Sequence, residues 1–347
     1  MIRMADTQKA KHKNIPVFIP HLGCPHACVF CDQCTISGQA TFDEGAVKGE
    51  IEAALTTVSP DDKVEIAYFG GSFTAIDRDL MVRLLDMAQS FVDAGRVAGI
   101  RFSTRPDAVG EDVLDTLSHY TITAIELGLQ SMDDEVLVAC RRGHTSSQAE
   151  DACRRIVARG YALVGQMMLG LPASTPEKER MTAERICALG ASAVRIYPTA
   201  VLEGTALAVM MRKGSYTPLS VDEAAERAAD VLQIIQEQDV DVLRVGLCAS
   251  DGLSGERVVG GANHPALGEM AYSVLFGRRM KEALANAGTD LTGQKVIFWV
   301  PRGKISQAVG QHRKNMSDVC KAFDLAGLFV RESNRLTGTE VLLKDDH

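Results

Sequence analysis

The sequence predicts an α/β fold: a partial (β/α)6-type TIM barrel with a small C-terminal α+β appendage. Three observations predict it. Short β-branched runs alternate with longer amphipathic stretches over about two-thirds of the chain. Several of those runs end in glycine and small polar residues. After about Gly246 the rhythm stops, and the irregular, glycine-rich "LCASDGLSGERVVGGANHPALG" follows. Repeated strand–helix units imply parallel strands joined by crossover helices. Six or seven units favour an open or partial barrel over a closed eightfold one.

The strand candidates in order are "IPVFI" from Ile15, "VEIAYF" from Val64, "GIRFS" from Gly99, "ITAIELG" from Ile122, "LVGQMML" from Leu163, "AVRIYP" from Ala193 and "VLRVGL" from Val242. Helical periodicity fills the intervals 43–57, 78–95, 110–118, 146–159, 175–189 and 220–238. Beyond the irregular segment the pattern predicts a long helix over about 265–287, a strand at "KVIFWV", a helix pair around 305–323 and a last strand at "EVLLK". The expected organisation is a flexible N-terminus over 1–14, a core over 15–246 and an accessory region over 247–347.

At 347 residues, 46% hydrophobic and 24% charged, the chain reads as an ordinary soluble globular protein. No apolar run is long enough to span a membrane, so no membrane partner is expected. The opening "MIRMADTQKAKHK" is polar and basic with no apolar stretch behind it, which is not a secretory signal. The expectation is a cytoplasmic, reducing location, where nine cysteines point to metal ligands and buried thiols rather than disulfides. The net charge of −8 is uneven: between Gly277 and Lys314 eight basic residues face two acidic ones. Such a strip is either a solvated helix face or a surface for a phosphate backbone.

Four of the nine cysteines fall within the eleven residues Cys24–Cys34, in "HLGCPHACVFCDQC". A zinc knot, a disulfide framework and an iron–sulfur cradle all use close cysteines. Structural zinc needs a closed shell of four ligands, usually from two separated knuckles, and no second pair follows here. Three thiolates at C-x3-C-x2-C spacing can instead hold three irons of a 4Fe–4S cube and leave the fourth open. Cys140, Cys153, Cys187, Cys248 and Cys320 stand alone, in settings that suit small buried hydrophobes. The cysteine loop follows the first strand. The endings "FGGSFT", "STRPD", "GLQS" and "MLGLP" follow later ones, on the edge where such folds build their sites.

The position and spacing of Cys24, Cys28 and Cys31, with Phe30 before the last, resemble the radical SAM superfamily. "HLGCPHACVFC", "YFGGSFT", "ELGLQSMDDEVL…RRGHT", "MMLGLP" and "RIYPT" are similar to the radical SAM domain of the Elongator catalytic subunit and its shorter bacterial relatives, over about residues 15–246. The resemblance implies a 4Fe–4S cluster held by Cys24, Cys28 and Cys31. It also implies S-adenosylmethionine as cosubstrate, cleaved reductively to a 5′-deoxyadenosyl radical for hydrogen abstraction. A reductant such as flavodoxin or ferredoxin would be a partner. Gly70, Gly71 and Ser72 match the turn that meets the methionine amino group. Ser103 and Gln130 match contacts in the related oxygen-independent coproporphyrinogen III oxidases, and Arg142 matches the arginine that pairs with the methionine carboxylate there. Arg141 competes for that last assignment. Gln166 stands where those oxidases carry an aspartate.

Other residues are weighed as local or site-lining. His21 and His26 flank the cysteines, His144 and His264 lie in rim segments, and Tyr197 could face the substrate. Cys34 is expected to stand aside from the cluster. The implied substrate is RNA, as in the Elongator relatives, with 277–314 as the candidate contact. The chain ends before an acetyltransferase domain, so acetyl transfer by this chain alone is not expected. Two alternatives stand beside this: radical chemistry on a small metabolite such as a tetrapyrrole-like acid, or a non-enzymatic cluster- or zinc-binding interaction module.

Overall fold

The computed structural model describes residues 11–20, 22–24, 28–32, 41–247 and 257–345. His21, His26, Cys34 and Cys248 lie outside the described residues. Six strands, β1 (His12–Phe18), β2 (Lys63–Phe69), β3 (Gly99–Thr104), β4 (Ile122–Gln130), β5 (Ala162–Leu169) and β6 (Ala193–Pro198), stand in sequential order in one parallel sheet. The short β7 (Ala200–Leu202) leaves this sheet, and β8 (Asp241–Val245) completes it beside β6. The result is an α/β partial barrel of seven strands, with β1 and β8 as its two edges. Strand β1 begins at His12, inside the segment expected to be a tail. Its register with Lys63 and Val64 explains why: the extra residues extend the ladder.

The crossovers are α1 (Glu44–Leu55), α2 (Arg78–Asp93), α3 (Glu111–Leu117), α4 (Asp134–Ala139), α5 (Ser146–Ala158), α6 (Pro176–Ala188), α7 (Ala206–Arg212) and α8 (Val221–Glu237). Their starts follow ordinary capping chemistry. Thr145 with Gln148, and Ser220 with Glu223, form reciprocal capping boxes that satisfy the first orphan amides of α5 and α8. The short α4 and α7 lie outside the intervals of helical periodicity.

The main core lies between the outer face of the sheet and these helices. Ile66, Tyr68, Ile100, Phe102, Ile125, Leu127, Met167 and Ile196 project outward into it and are essentially inaccessible. Alternation therefore sends Glu65, Arg101, Glu126, Gln166 and Arg195 to the inner face. The inner face is consequently charged at mid-strand. Glu126 accepts from Arg101 at 2.7 Å and from Arg195 at 2.8 Å, Arg101 reaches Glu65 at 3.3 Å, and Glu65 shares a hydrogen bond with His12 at 2.7 Å. Five strands are thus tied by one ladder of alternating charge.

Helix α9 (Leu267–Ala285) packs on α8 and contributes Ala271 and Leu275 to the main core, so the core continues beyond residue 246. Ahead of it, β9 (Val258–Gly261) pairs antiparallel with β7. The appendage is a three-stranded sheet of β10 (Lys295–Pro301), β11 (Gly327–Ser333) and β12 (Leu342–Asp345), in the order β11-β10-β12. It is completed by α10 (Ile305–Val309) and α11 (Lys314–Ala322). No described helix is long and apolar enough to cross a membrane.

Candidate active site

The cysteine loop leaves β1 at the C-terminal edge of the sheet and is fastened to the loop after β2. The Ile19 amide donates to the Phe69 carbonyl at 2.7 Å, and the Ser72 amide donates to the Leu22 carbonyl at 3.1 Å. This fit requires glycine. A β-carbon on Gly71 would lie 2.4 Å from the Leu22 carbonyl oxygen, and one on Gly23, whose φ is +71°, would lie 2.3 Å from that of Ser72. Gly70, at φ +94°, turns the chain beside Ile19. Gly70 and Gly71 thus hold the cysteine loop against the sheet.

Cys24, Cys28 and Cys31 are reduced thiols on this loop, with Cys28 buried and the others half-buried. The Cys31 amide donates to the Cys28 carbonyl at 3.1 Å. Beyond it, the Val29 amide donates to the Cys140 carbonyl and the Val29 carbonyl accepts from Leu207, which ties the loop to the chain after α4 and to α7. Two guanidinium groups back the sulfurs. Arg142 Nη1 donates to Cys28 Sγ at 3.2 Å while its Nη2 donates to the Gly128 carbonyl at 2.5 Å. Arg105 Nη1 lies 4.0 Å from the same sulfur. Asp107 grips Arg105 in a two-pronged ion pair, at 2.9 Å and 3.1 Å, and Arg105 also donates to the Arg142 carbonyl. Burial pushes the Cys24 thiol above its usual pKa, against the pull of Arg105 and Arg142.

Arg142, rather than Arg141, therefore enters the site: Arg142 is buried and Arg141 is exposed. Gln130 sits at the end of β4 across a break in the register with β5, at φ +66°. Its Oε1 is buried without a hydrogen-bond partner, and so is Arg142 Nε. Ser72 is fully buried, with its hydroxyl sharing a bond with Thr104 at 3.0 Å and accepting from the Arg105 amide at 3.1 Å. It braces β2 against β3. Ser103 is part-buried on the inner face opposite Glu126, and Gln166 is in register with Gly128 and Arg195. His144 is buried with neither ring nitrogen bonded, and burial together with Arg142 and Arg105 pulls its pKa down to about 4. His264 accepts from the Ala266 amide at 3.1 Å and so shapes the turn before α9. Tyr197 is half-buried at the inner end of β6.

Reduced thiols on one loop, cationic backing and orphaned polar atoms fit an anionic iron–sulfur cluster with a polar ligand beside it. Among the described residues no three metal-ligating side chains converge into a closed group. Thiolates repel one another, and metal binding itself supplies the energy that draws such ligands together.

Sequence reading missed Arg105, Asp107, Thr74 and Glu179. Thr74 joins Thr104 at 2.6 Å. Glu179 is buried and accepts from the Gly170 amide at 2.7 Å, from Ser174 at 2.9 Å and from Arg227 at 3.2 Å, fixing the "LGLP" loop. Burial pushes its pKa up despite those partners. The basic strip over 277–314 is not one face. Arg278 pairs with Glu226 and Asp230 of α8, Arg279 donates to Gln236, and Lys304 lies over the Tyr272 ring.

A cysteine loop and glycine turn at the C-terminal edge of a parallel partial barrel define a class of enzymes that carry their chemistry on a bound cluster. Residues 18–186 match the radical SAM superfamily model, and residues 191–275 match the Radical_SAM C-terminal domain. The chain belongs to the radical SAM superfamily, whose cofactors are a 4Fe–4S cluster and S-adenosylmethionine. Among relatives, an uncharacterized protein of Methanocaldococcus jannaschii (MJ0486) is 30% identical over 237 residues, covering 65% of this chain and 72% of that protein. The tRNA uridine(34) acetyltransferase of the same organism is 27% identical over 293 residues, covering 73% of this chain and 53% of its own length. That of Dehalococcoides mccartyi is 27% identical over 259 residues, covering 64% and 56%. The chain thus spans just over half the length of these two acetyltransferases. The Elp3 structure of Methanocaldococcus infernus shares the fold, with a TM-score of 0.62 at 23% identity over 78% of this chain and 63% of that one.

Proposed function

We propose that this radical SAM enzyme acts on RNA, a tRNA in particular, and that Cys24, Cys28 and Cys31 ligate its cluster. When bound, the cluster supplies the electron that cleaves S-adenosylmethionine to methionine and a 5′-deoxyadenosyl radical, which abstracts hydrogen from the substrate. Arg142 and Arg105 place positive charge against the ligand sulfur. Gly70 and Gly71 let the cysteine loop close onto the turn whose backbone meets the methionine amino group. Gln130 and Arg142 offer unsatisfied polar atoms to the rest of that ligand, with Ser103 and Gln166 on the inner face beside it. Ser72 acts by bracing the strands. A reductant such as flavodoxin or ferredoxin completes the cycle.

The observation that carries the cofactor assignment is the paired approach of Arg142 and Arg105 to Cys28 at the sheet's C-terminal edge. The RNA assignment is supported by similarity to the tRNA uridine(34) acetyltransferases. Anaerobic reconstitution tests both. About four irons per chain are expected, with 5′-deoxyadenosine formed by wild type, not by a Cys24/Cys28/Cys31→Ala variant, and formed faster with tRNA. Zinc in place of iron would refute the cofactor assignment. Absence of tRNA binding at moderate salt would refute the RNA assignment.

A further inference from the structure

The appendage sheet has one packed face and one open face. Val296, Phe298 and Leu328 are buried against α9 and α11, with Leu343 beside them. Alternation turns Lys295, Ile297 and Trp299 of β10, Phe329 and Arg331 of β11, and Leu342 and Lys344 of β12 to the other face. An outward face of this kind is normally polar. Here Phe329 is 49% exposed and Leu342 is 45% exposed. The chain's single tryptophan, Trp299, stands on the central strand between two cations: Arg331 Cζ is 5.9 Å and Lys344 Nζ is 5.7 Å from its ring centroid. The charged side chains on this face are Lys295, Arg331 and Lys344, all cationic. None is paired with a carboxylate among the described residues, in a chain of net charge −8.

Ile297 on this face is buried and Trp299 half-buried. An exposed Phe329 ring beside cations that have no carboxylate partner matches one ligand chemistry. A single-stranded nucleic acid presents open base faces and phosphates together, whereas a duplex hides its base faces. An acidic protein surface would satisfy the cations and leave Phe329 without a role. We propose that the open face of the β11-β10-β12 sheet is a platform for single-stranded RNA. Phe329 stacks on a base, and Lys295, Arg331 and Lys344, the last two seated over Trp299, meet phosphates. The choice of RNA rests on the substrate reading above. The platform goes beyond that reading by confining the contact within 277–314 to β10 and adding residues 329–344 of β11 and β12.

The test uses the full-length reconstituted protein, a short single-stranded RNA, the matching duplex and a tRNA. Trp299 is a unique reporter: its emission should fall on adding the single strand. Phe329→Ala should weaken binding by about fivefold to a hundredfold, and the Arg331→Glu/Lys344→Glu variant should abolish it. The dissociation constant should rise with salt at a log–log slope of about 2, for three phosphate contacts. These side chains lie outside the packed face, so unchanged thermal melting serves as the fold control. If wild type binds tRNA and both variants bind it equally well, the platform is refuted and the RNA substrate reading stands. If wild type binds neither tRNA nor the single strand, both fall. Equal affinity for the duplex, or loss of poly-glutamate binding in the double variant with no RNA binding by wild type, would likewise overturn the platform, the latter in favour of an acidic protein partner.

Discussion

Replacing Glu126 by leucine should destabilise the barrel by about 3–5 kcal/mol. Its side chain is 2% exposed and accepts three hydrogen bonds, at 2.7 Å from Arg101 and at 2.8 Å and 3.2 Å from Arg195. Arg195 retains some solvent access, but the Arg101 side chain is only 6% exposed and already has an unbonded Nε. In the variant Arg101 keeps one bond, to Glu65 at 3.3 Å, so a buried charge is left largely uncompensated. An unfolding entropy of about 2.1 cal/mol/K per residue over 347 residues converts this to a fall in Tm of about 4–7 °C. Glu126→Gln keeps the shape and one acceptor, and should cost about 1–2 kcal/mol. The double variant Arg101→Met/Glu126→Leu removes the stranded charge. It should therefore be more stable than the sum of the two singles predicts, by about 1 kcal/mol or more. Thermal melts followed by circular dichroism give all four corners of the cycle. A Glu126→Leu cost below about 1 kcal/mol, or strict additivity, would show that the inner ladder is not a single electrostatic unit.

Gly71→Ala and Gly23→Ala should each push the cysteine loop off the β2 turn, lowering iron content after reconstitution while leaving most helical circular dichroism intact. Arg142→Lys loses the forked approach to Cys28 and Gly128 and should weaken S-adenosylmethionine binding by about tenfold or more in equilibrium dialysis. Exposed Arg141→Ala is the matched control and should leave it unchanged. His144 has a folded pKa of about 4 against an unfolded value near 6.5, so the unfolded chain binds more protons between those limits. Its contribution is complete above about pH 6.5 and falls on acidification toward pH 4, where the loss reaches about 3 kcal/mol. Denaturation of His144→Leu across that window should show correspondingly less acid sensitivity than wild type. Glu65 adds in the same direction. Burial raises its pKa, but the His12 and Arg101 bonds outweigh that and hold it below the ordinary value, so its contribution too is lost as pH falls.

The strands were legible because each is apolar on the face that packs against helices, as Ile66 and Tyr68 or Ile100 and Phe102 show. The cysteine loop and Gly70–Gly71 were legible from spacing. The inner ladder was not, although its signal is in plain view. Glu65, Arg101, Glu126 and Arg195 are each a lone charge at mid-strand in an otherwise apolar run, alternating in sign along β2, β3 and β4. A parallel strand buried on both faces can tolerate such a charge only with a partner on its neighbour. Arg105 and Asp107 were missed for a different reason. In "STRPD" they look like surface residues of a turn; Asp107 is indeed exposed, and only the approach of Arg142 from a separate loop encloses Arg105. The basic strip is redistributed by the fold, because linear charge density does not reveal that Arg278 faces the carboxylates of the preceding helix.

The site and its support divide the work between rigid and adaptable parts. Sulfur ligands must come from a loop that can close around a metal, and such a loop cannot position itself. The chain answers with backbone bonds from Ile19, Ser72, Val29 and Leu207 that fix the loop at both flanks. The arginines behind Cys28 need the opposite property. A lysine could supply the charge, but only a planar fork can hold the sulfur and the Gly128 carbonyl at once. Asp107 then locks Arg105, and Arg105 locks the Arg142 carbonyl, so the position of one guanidinium specifies the other. Below them the ladder ties β2, β3, β4 and β6 at mid-strand, with His12 at the start of β1 joined to it. Above this frame Gln130 Oε1 and Arg142 Nε stay buried without a protein partner. This is the arrangement expected where a ligand, rather than the protein, completes the hydrogen bonding.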